Sequence, residues 1–115
     1  MKNSIVAKLR ERDGHCWHCG ATGGLVPHHR RNRGMGGSKL LDRLDNLMMV
    51  CSFYNGAMES DSTVAAKARE HGHKLSQWQG FDQAVFDNYS QCWYQLLDTG
   101  QKELINESNN SEPLF

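Results

Sequence analysis

Apolar residues come in short, separated groups along this chain, and their spacing changes character from one group to the next. Ile5, Val6 and Leu9 share one face at helical spacing. They predict a helix over 3–13, with Asn3 or Ser4 as its cap and Gly14 as its stop. "HCWHCG" then reads as a compact turn closed by Gly20, and "GGLVPHH" as a short extended segment in which Pro27 disfavours helix. Residues 30–45 form a long loop rich in glycine, and such a loop inside a small domain usually carries function. After it comes the short apolar run "DNLMMVC", and "CSFYNGAMES" can open a helix.

Asp61 or Ser62 is placed to cap another helical run, "STVAAKAREHG", which Gly72 stops. "HKLSQWQG" looks extended. "QAVFDNYSQCWYQLLDTGQKELI" predicts a hairpin: Val85 and Phe86 lead into a turn at 87–90, Cys92–Leu97 is β-prone, and Thr99-Gly100 turns again. The tail "NESNNSEPLF" is polar and is expected to be disordered. No internal repeat is visible.

With 115 residues the chain accommodates one domain, taken as 1–105, followed by a polar tail at 106–115. No apolar run approaches the roughly 20 residues of a membrane span. The N-terminal stretch lacks the continuous apolar centre of a signal peptide. These features predict a cytosolic protein without a membrane partner. In that compartment four cysteines argue against a disulfide frame, and the Asn-X-Ser triplets are not glycan sites. Net charge is zero, but its distribution is uneven. Residues 1–43 hold nine Lys/Arg against three acids, and the remainder four against ten, so the halves carry +6 and −6. Such a chain can present one phosphate-attracting face, or both sets can be plain solvated surface.

The chemistry concentrates around "VPHHRRNRGMGGSKL". Before it stands "CWHC", whose two thiols can face one ion from a tight turn, as in structural zinc sites. A second pair should follow. Cys51 supplies its first half, but Tyr54 occupies the matching position. Cys16, Cys19 and Cys51 are therefore candidate zinc ligands lacking a fourth cysteine, with His15, His18 and Cys92 as substitutes. The redox reading of Cys-x-x-Cys needs a βαβ context that is absent here. The plain alternative is three buried thiols acting as small core residues. His28 and His29, adjacent on an extended segment, point to opposite sides. At a twisted strand end they can flank one small site, with one imidazole on a metal and the other free for a proton. Taken alone, a histidine pair beside a turn is ordinary surface.

Further on come Asn46, the apolar Leu47-Met48-Met49-Val50, Cys51, and Asn55 at the start of a helix. The order Cys-x-x-Cys, His-His, Gly-Gly, Asn-Leu, Cys, Asn closely resembles the HNH nuclease family over residues 12–60. "DRLDNLMMVCSFYNGAMESD" is similar to small HNH proteins of bacteriophages. The resemblance implies an α+β fold: a ββα-metal finger with an N-terminal helix, an additional helix and a C-terminal β-hairpin at 61–105. It implies His28 as first metal ligand, His29 as general base, Asn46 as a brace of the loop through backbone hydrogen bonds, and Asn55 as last ligand. The activity implied is metal-dependent DNA endonuclease, leaving 5′-phosphate and 3′-hydroxyl ends, phage-encoded and working in the bacterial cytoplasm.

Bottom-up chemistry runs the same way. Neutral His29 can take a proton from water. An ion held by only two protein ligands leaves positions open for substrate. Amide oxygen and imidazole suit Mg²⁺ or Mn²⁺, with Ni²⁺ or Zn²⁺ as further options. Arg30, Arg31, Arg33, Lys39 and Arg43 are the expected DNA contacts, since forked guanidinium donors match phosphate oxygens. Gly34, Gly36 and Gly37 allow close backbone approach. His71 and His73 read as cations at a helix end, Asp61 as a cap, Glu59 as a residue near the site, and Trp78, Trp93 and Tyr94 as core of the hairpin. The alternative functions are a non-catalytic nucleic-acid-binding zinc-finger-like module and a phage packaging accessory that associates with a terminase-like protein.

Overall fold

A computed structural model describes residues 1–32 and 39–107. The elements run α1 (Asn3–Arg12), β1 (Leu25–His29), a 3-10 turn (Lys39–Leu41), β2 (Leu47–Cys51), α2 (Ser52–Ser60), α3 (Ser62–Glu70), β3 (Val85–Asp87), β4 (Cys92–Leu96) and β5 (Lys102–Glu107). The fold is α+β, with three helices and two small antiparallel sheets, β1-β2 and β3-β4-β5. No helix among the described residues is long and apolar enough to cross a membrane.

β2 is the centre of the molecule. Residues 47–50 are fully buried, so the strand is covered on both faces. Its alternation divides the core in two. Leu47 and Met49 pack with Leu9 of α1 and with Leu44. Met48 and Val50 pack with Trp17, Tyr54, Met58, Ala68, Val85 and Leu96. α1 is tied to β2 by polar bonds as well. Arg12 pairs with Asp13 at 2.7 Å and donates to the carbonyls of Leu44 and Leu47, while Asp13 accepts from the Met49 N–H. β1 pairs antiparallel with β2 in the register His28↔Met48 and His29↔Leu47. Facing residues share a sheet face, so His28 lies on the α2 side and His29 on the other.

Several expected boundaries shift. The first helix stops at Arg12 with Asp13 as its C-cap, and its N-cap, Lys2, makes no side-chain bond. Asp61 does cap α3, its Oδ1 accepting from the N–H groups of Thr63 and Val64. The predicted hairpin is a three-stranded meander, because the Leu97–Gln101 turn returns a further strand against β4. The segment read as extended, 73–80, is a turn whose only pairing is a parallel bridge between Arg31 and Leu75. Trp93 and Tyr94 are half-buried on β4, but Trp78 is a correction: it is 85 % exposed and outside the core. Gly72, at φ +75, ends α3 where a side chain would collide with the Ala84 carbonyl. Arg33, Gly34, Gly36, Gly37 and most of the tail lie outside the described residues.

Candidate functional site

Two groups of metal-ligand chemistry flank the start of α2. The first is the thiol group. The turn holding Cys16 and Cys19 is closed by Cys16 N–H to Ala21 O and Gly20 N–H to Cys16 O. Gly20 adopts φ +81 with the Tyr89 ring against it, so a side chain there would be strained and would displace that ring. Cys51 arrives at the end of β2 and N-caps α2. The sulfurs of Cys16, Cys19 and Cys51 lie within 4.8 Å of one another, with Cys19 and Cys51 3.8 Å apart. That separation is the tetrahedral edge, about 3.8 Å, expected for thiolates each about 2.3 Å from a zinc ion. Backbone N–H groups of His18 and Tyr54 point at the sulfurs of Cys16 and Cys51 at 3.3 and 3.4 Å, which helps fix where those sulfurs lie. The three cysteines can therefore hold a metal ion such as zinc.

The expected substitutes for a fourth cysteine are engaged elsewhere. His15 bonds Asp87 at 3.0 Å and packs on Tyr89, and Cys92 bonds the Ser90 carbonyl. His18 stacks flat on Tyr54, ring centroids 3.9 Å apart. Tyr54 turns away from the sulfurs: its hydroxyl donates to His73 Nδ1 at 2.6 Å.

The second group is built from β1 and α2. His28 Nε2 lies 2.7 Å from the His73 carbonyl, and Nδ1 lies 3.2 Å from Asn55 Oδ1. A carbonyl can only accept, so Nε2 carries the proton and Nδ1 presents a lone pair. Burial pushes the His28 pKa down to about 4, so the ring is neutral at physiological pH. A neutral Nδ1 and an amide oxygen then face each other as two acceptors. Adjacent ligands of an octahedral ion with bonds of about 2.1 Å are separated by about 3 Å, so this pair fits one hard divalent cation.

His29 lies across the sheet from His28, and its Nε2 contacts Asp42 Oδ1 at 2.7 Å. Asn46 is fully buried; its Oδ1 accepts from the Arg31 N–H at 2.8 Å and its Nδ2 donates to the carbonyls of Arg31 and Leu41. These bonds hold the two ends of the 31–46 loop together. The structure thus brings His28 to Asn55 and Asn46 to the loop's base, while His29 meets a carboxylate absent from the sequence reading.

Arg30 requires a correction. Arg30 is 1 % exposed, and it donates to the carbonyls of Gly72, Asp45, Phe81 and Gln83. Burial lowers its pKa to about 10, which leaves it charged, but its forked end is engaged with backbone and cannot meet phosphate. Arg31 donates to the carbonyls of Gln77 and Gln79, and Arg43 forms a two-pronged pair with Asp45. Both guanidinium groups lie over the Phe81 ring, at 4.2 and 4.4 Å. Among the described residues, the exposed cations of the basic half are Lys2, Lys8 and Arg10 on or beside α1, and Arg43, which is exposed although paired with Asp45. The Arg33 and Lys39 side chains lie outside the described residues.

Besides Asp42, three residues at the site escaped the sequence reading in their present roles. His73 was expected as a helix-end cation. It is fully buried, and burial drives its pKa down to about 3, so the ring is neutral. Lys74 lies near enough to His28 to help lower that ring's pKa, and its ammonium reaches Glu59 at 3.4 Å. Tyr54 looked like a gap in a ligand set. A fourth-ligand position filled by a residue with its own buried hydroxyl was the available signal. Comparison with models of known families, with curated proteins and with solved structures found no match for this chain.

Proposed function

We propose that this chain is a metal-dependent DNA endonuclease of the HNH type, in which His28 and Asn55 hold one divalent cation and His29 serves as the base. The observation that carries the reading is the His28 Nδ1 to Asn55 Oδ1 approach of 3.2 Å, with the opposite ring nitrogen tied to a carbonyl. Metal-ligating histidines are commonly fixed in this way through their second nitrogen. The strand–strand–helix order of β1, β2 and α2 supports it too, since the resembled family builds its site on that unit.

Mg²⁺ or Mn²⁺ bound there would supply Lewis-acid stabilisation of negative charge on phosphate and leaving oxygen. The protein's own groups do the rest. His28 and Asn55 contribute two neutral donors, so the ion keeps its full charge and its open positions for substrate. Asp42 accepts from His29 Nε2–H, which leaves Nδ1 with the lone pair that removes a proton from water. Asp42 also steadies the imidazolium formed in that step. Lys74, beside His28, offers a further cation to the phosphate that enters. Asn46 ties Arg31 to Leu41, and so holds the backbone next to His29 beside that next to Asp42. The exposed cations of α1 give the backbone of DNA a surface to meet.

Incubation of supercoiled plasmid with the protein and a series of divalent ions tests the reading. Relaxation with Mg²⁺ or Mn²⁺, arrested by EDTA, with 5′-phosphate ends on the product, is the expected result. DNA binding that weakens with salt but never nicks the plasmid would instead identify a binding module stapled by its thiols.

A further inference from the structure

Tyr54 stands where the spacing of the cysteines calls for a fourth thiol, and its hydroxyl is used elsewhere. Two bonds link it to the cation pair through His73, and a third fixes the His73 ring. The Tyr54 hydroxyl donates to His73 Nδ1 at 2.6 Å, His73 Nε2–H donates to the Phe86 carbonyl at 2.6 Å, and the His73 carbonyl accepts from His28 Nε2–H at 2.7 Å. The proton positions are fixed from the far end. Phe86 O can only accept, so His73 carries its proton on Nε2 and receives the phenol on Nδ1. Tyr54, His28 and His73 are all buried, at 3 %, 4 % and 0 % exposure. A ring held at both nitrogens cannot turn, and the backbone carbonyl attached to it is held with it. The neighbouring Gly72 adds to this constraint, since its carbonyl accepts from Arg30.

We infer that Tyr54 and His73 are positioning residues for His28: the phenol-to-imidazole-to-carbonyl chain holds the His28 ring in its Nε2–H form, with Nδ1 aimed at Asn55 Oδ1. This rests on the reading of His28 and Asn55 as a cation site. Tyr54 also joins that site to the thiol group. Its N–H bonds Cys51 Sγ, and it precedes Asn55 on α2. An ion on the cysteines and an ion on His28 are thereby braced by the same residue. A fourth cysteine at position 54 would serve the first site and leave His73 Nδ1 buried without its donor.

Two measurements test the inference. Long-range ¹H–¹⁵N correlation spectra of the metal-free protein at neutral pH report histidine tautomers directly. His28 and His73 should both show protonated Nε2 and bare Nδ1; an Nδ1–H form at His28 would overturn the inference. Tyr54→Phe removes the hydroxyl and keeps the ring against His18. Mn²⁺ binding, followed by the loss of the free-ion electron-spin signal, should weaken by roughly 10-fold or more, as for other changes behind a metal-ligating histidine. Cleavage should need correspondingly more Mn²⁺ and recover towards the parental rate at saturation. A role confined to packing would lower the melting temperature and leave Mn²⁺ affinity unchanged, which would also overturn the inference. A parent that cuts DNA while Tyr54→Phe matches it at every Mn²⁺ concentration sinks the relay and spares the nuclease. The expected tautomers and the weaker Mn²⁺ binding, in a parent that never cuts DNA, keep the relay and end the nuclease.

Discussion

The thiol group and the His28–Asn55 pair sit four residues apart on α2, Cys51 at its cap and Asn55 in its first turns, yet they are built on opposite principles. The thiols are soft, close together, and contacted by backbone N–H groups. The His28–Asn55 pair is neutral and hard, and its buried imidazole is held by the carbonyl of His73, whose own ring is held by the Tyr54 phenol. A charged thiolate set can retain an ion through folding. A neutral pair of two ligands binds loosely and exchanges, which suits an ion that must also touch substrate. The difference teaches that one helix start can carry a staple and a working site if the donors differ in charge.

Removing the base should give the largest effect. His29→Ala should lower plasmid cleavage by about 10²–10⁴-fold, with gel-shift affinity for DNA nearly unchanged. Equal losses of binding and cleavage would move His29 out of the proton-transfer role. Next in size is the buried arginine. Arg30→Ala leaves four carbonyls without their donor and should destabilise the fold by about 3–5 kcal/mol in urea melts. The salt slope of DNA binding in the same variant should not change, because Arg30 touches no phosphate.

The thiol side yields the third test. Metal analysis should find about one tightly held ion per chain, retained when Mg²⁺ is dialysed away. Cys16→Ala should release it and lower the melting temperature, with the Mn²⁺ affinity of the second site falling less than in Tyr54→Phe. Acid sensitivity belongs to the histidine side. His28 and His73 have folded pKa values of about 4 and about 3, below the unfolded value near 6.5. Between those limits the unfolded chain binds more protons, so stability is full above pH 6.5 and falls as pH drops towards 4. The slope should be about 1.4 kcal/mol per pH unit for each histidine. Urea midpoints of EDTA-treated protein at pH 7.5 and pH 5.5 measure it; equal midpoints would mean these rings are not neutral in the fold. The smallest effect is at the cap shared by neither site. Asp61→Ala should cost about 1 kcal/mol in urea melts and leave both metals in place.

Local features were legible in the sequence. The helix over 3–12, the Asp61 cap and both turns of the meander follow from spacing and turn chemistry acting within a few residues. The convergence of Cys16, Cys19 and Cys51 was also legible, because a Cys-x-x-Cys turn limits where its sulfurs can point. Arg30 and Arg31 were read from their neighbours in sequence, and apart from the Asp45 carbonyl their guanidinium partners lie 42 to 53 residues away in the 72–83 segment. Cation-rich composition cannot distinguish a guanidinium that meets phosphate from one that gathers backbone carbonyls. His73 illustrates the same point in reverse: a helix-end histidine is a cation only if water reaches it. Asp42 and Lys74 join the site through tertiary folding alone, so no short spacing announces them.

One titration bears most directly on the cation proposed between β1 and α2: plasmid cleavage against Mn²⁺ concentration for the parent, His28→Ala and Asn55→Ala. The parent should relax plasmid as Mn²⁺ is raised, over a range where its own site fills. Both variants should fail there while still binding DNA. Variants that cut at the parental rate and at the same Mn²⁺ concentration would contradict the account, because the ion would then be held somewhere else.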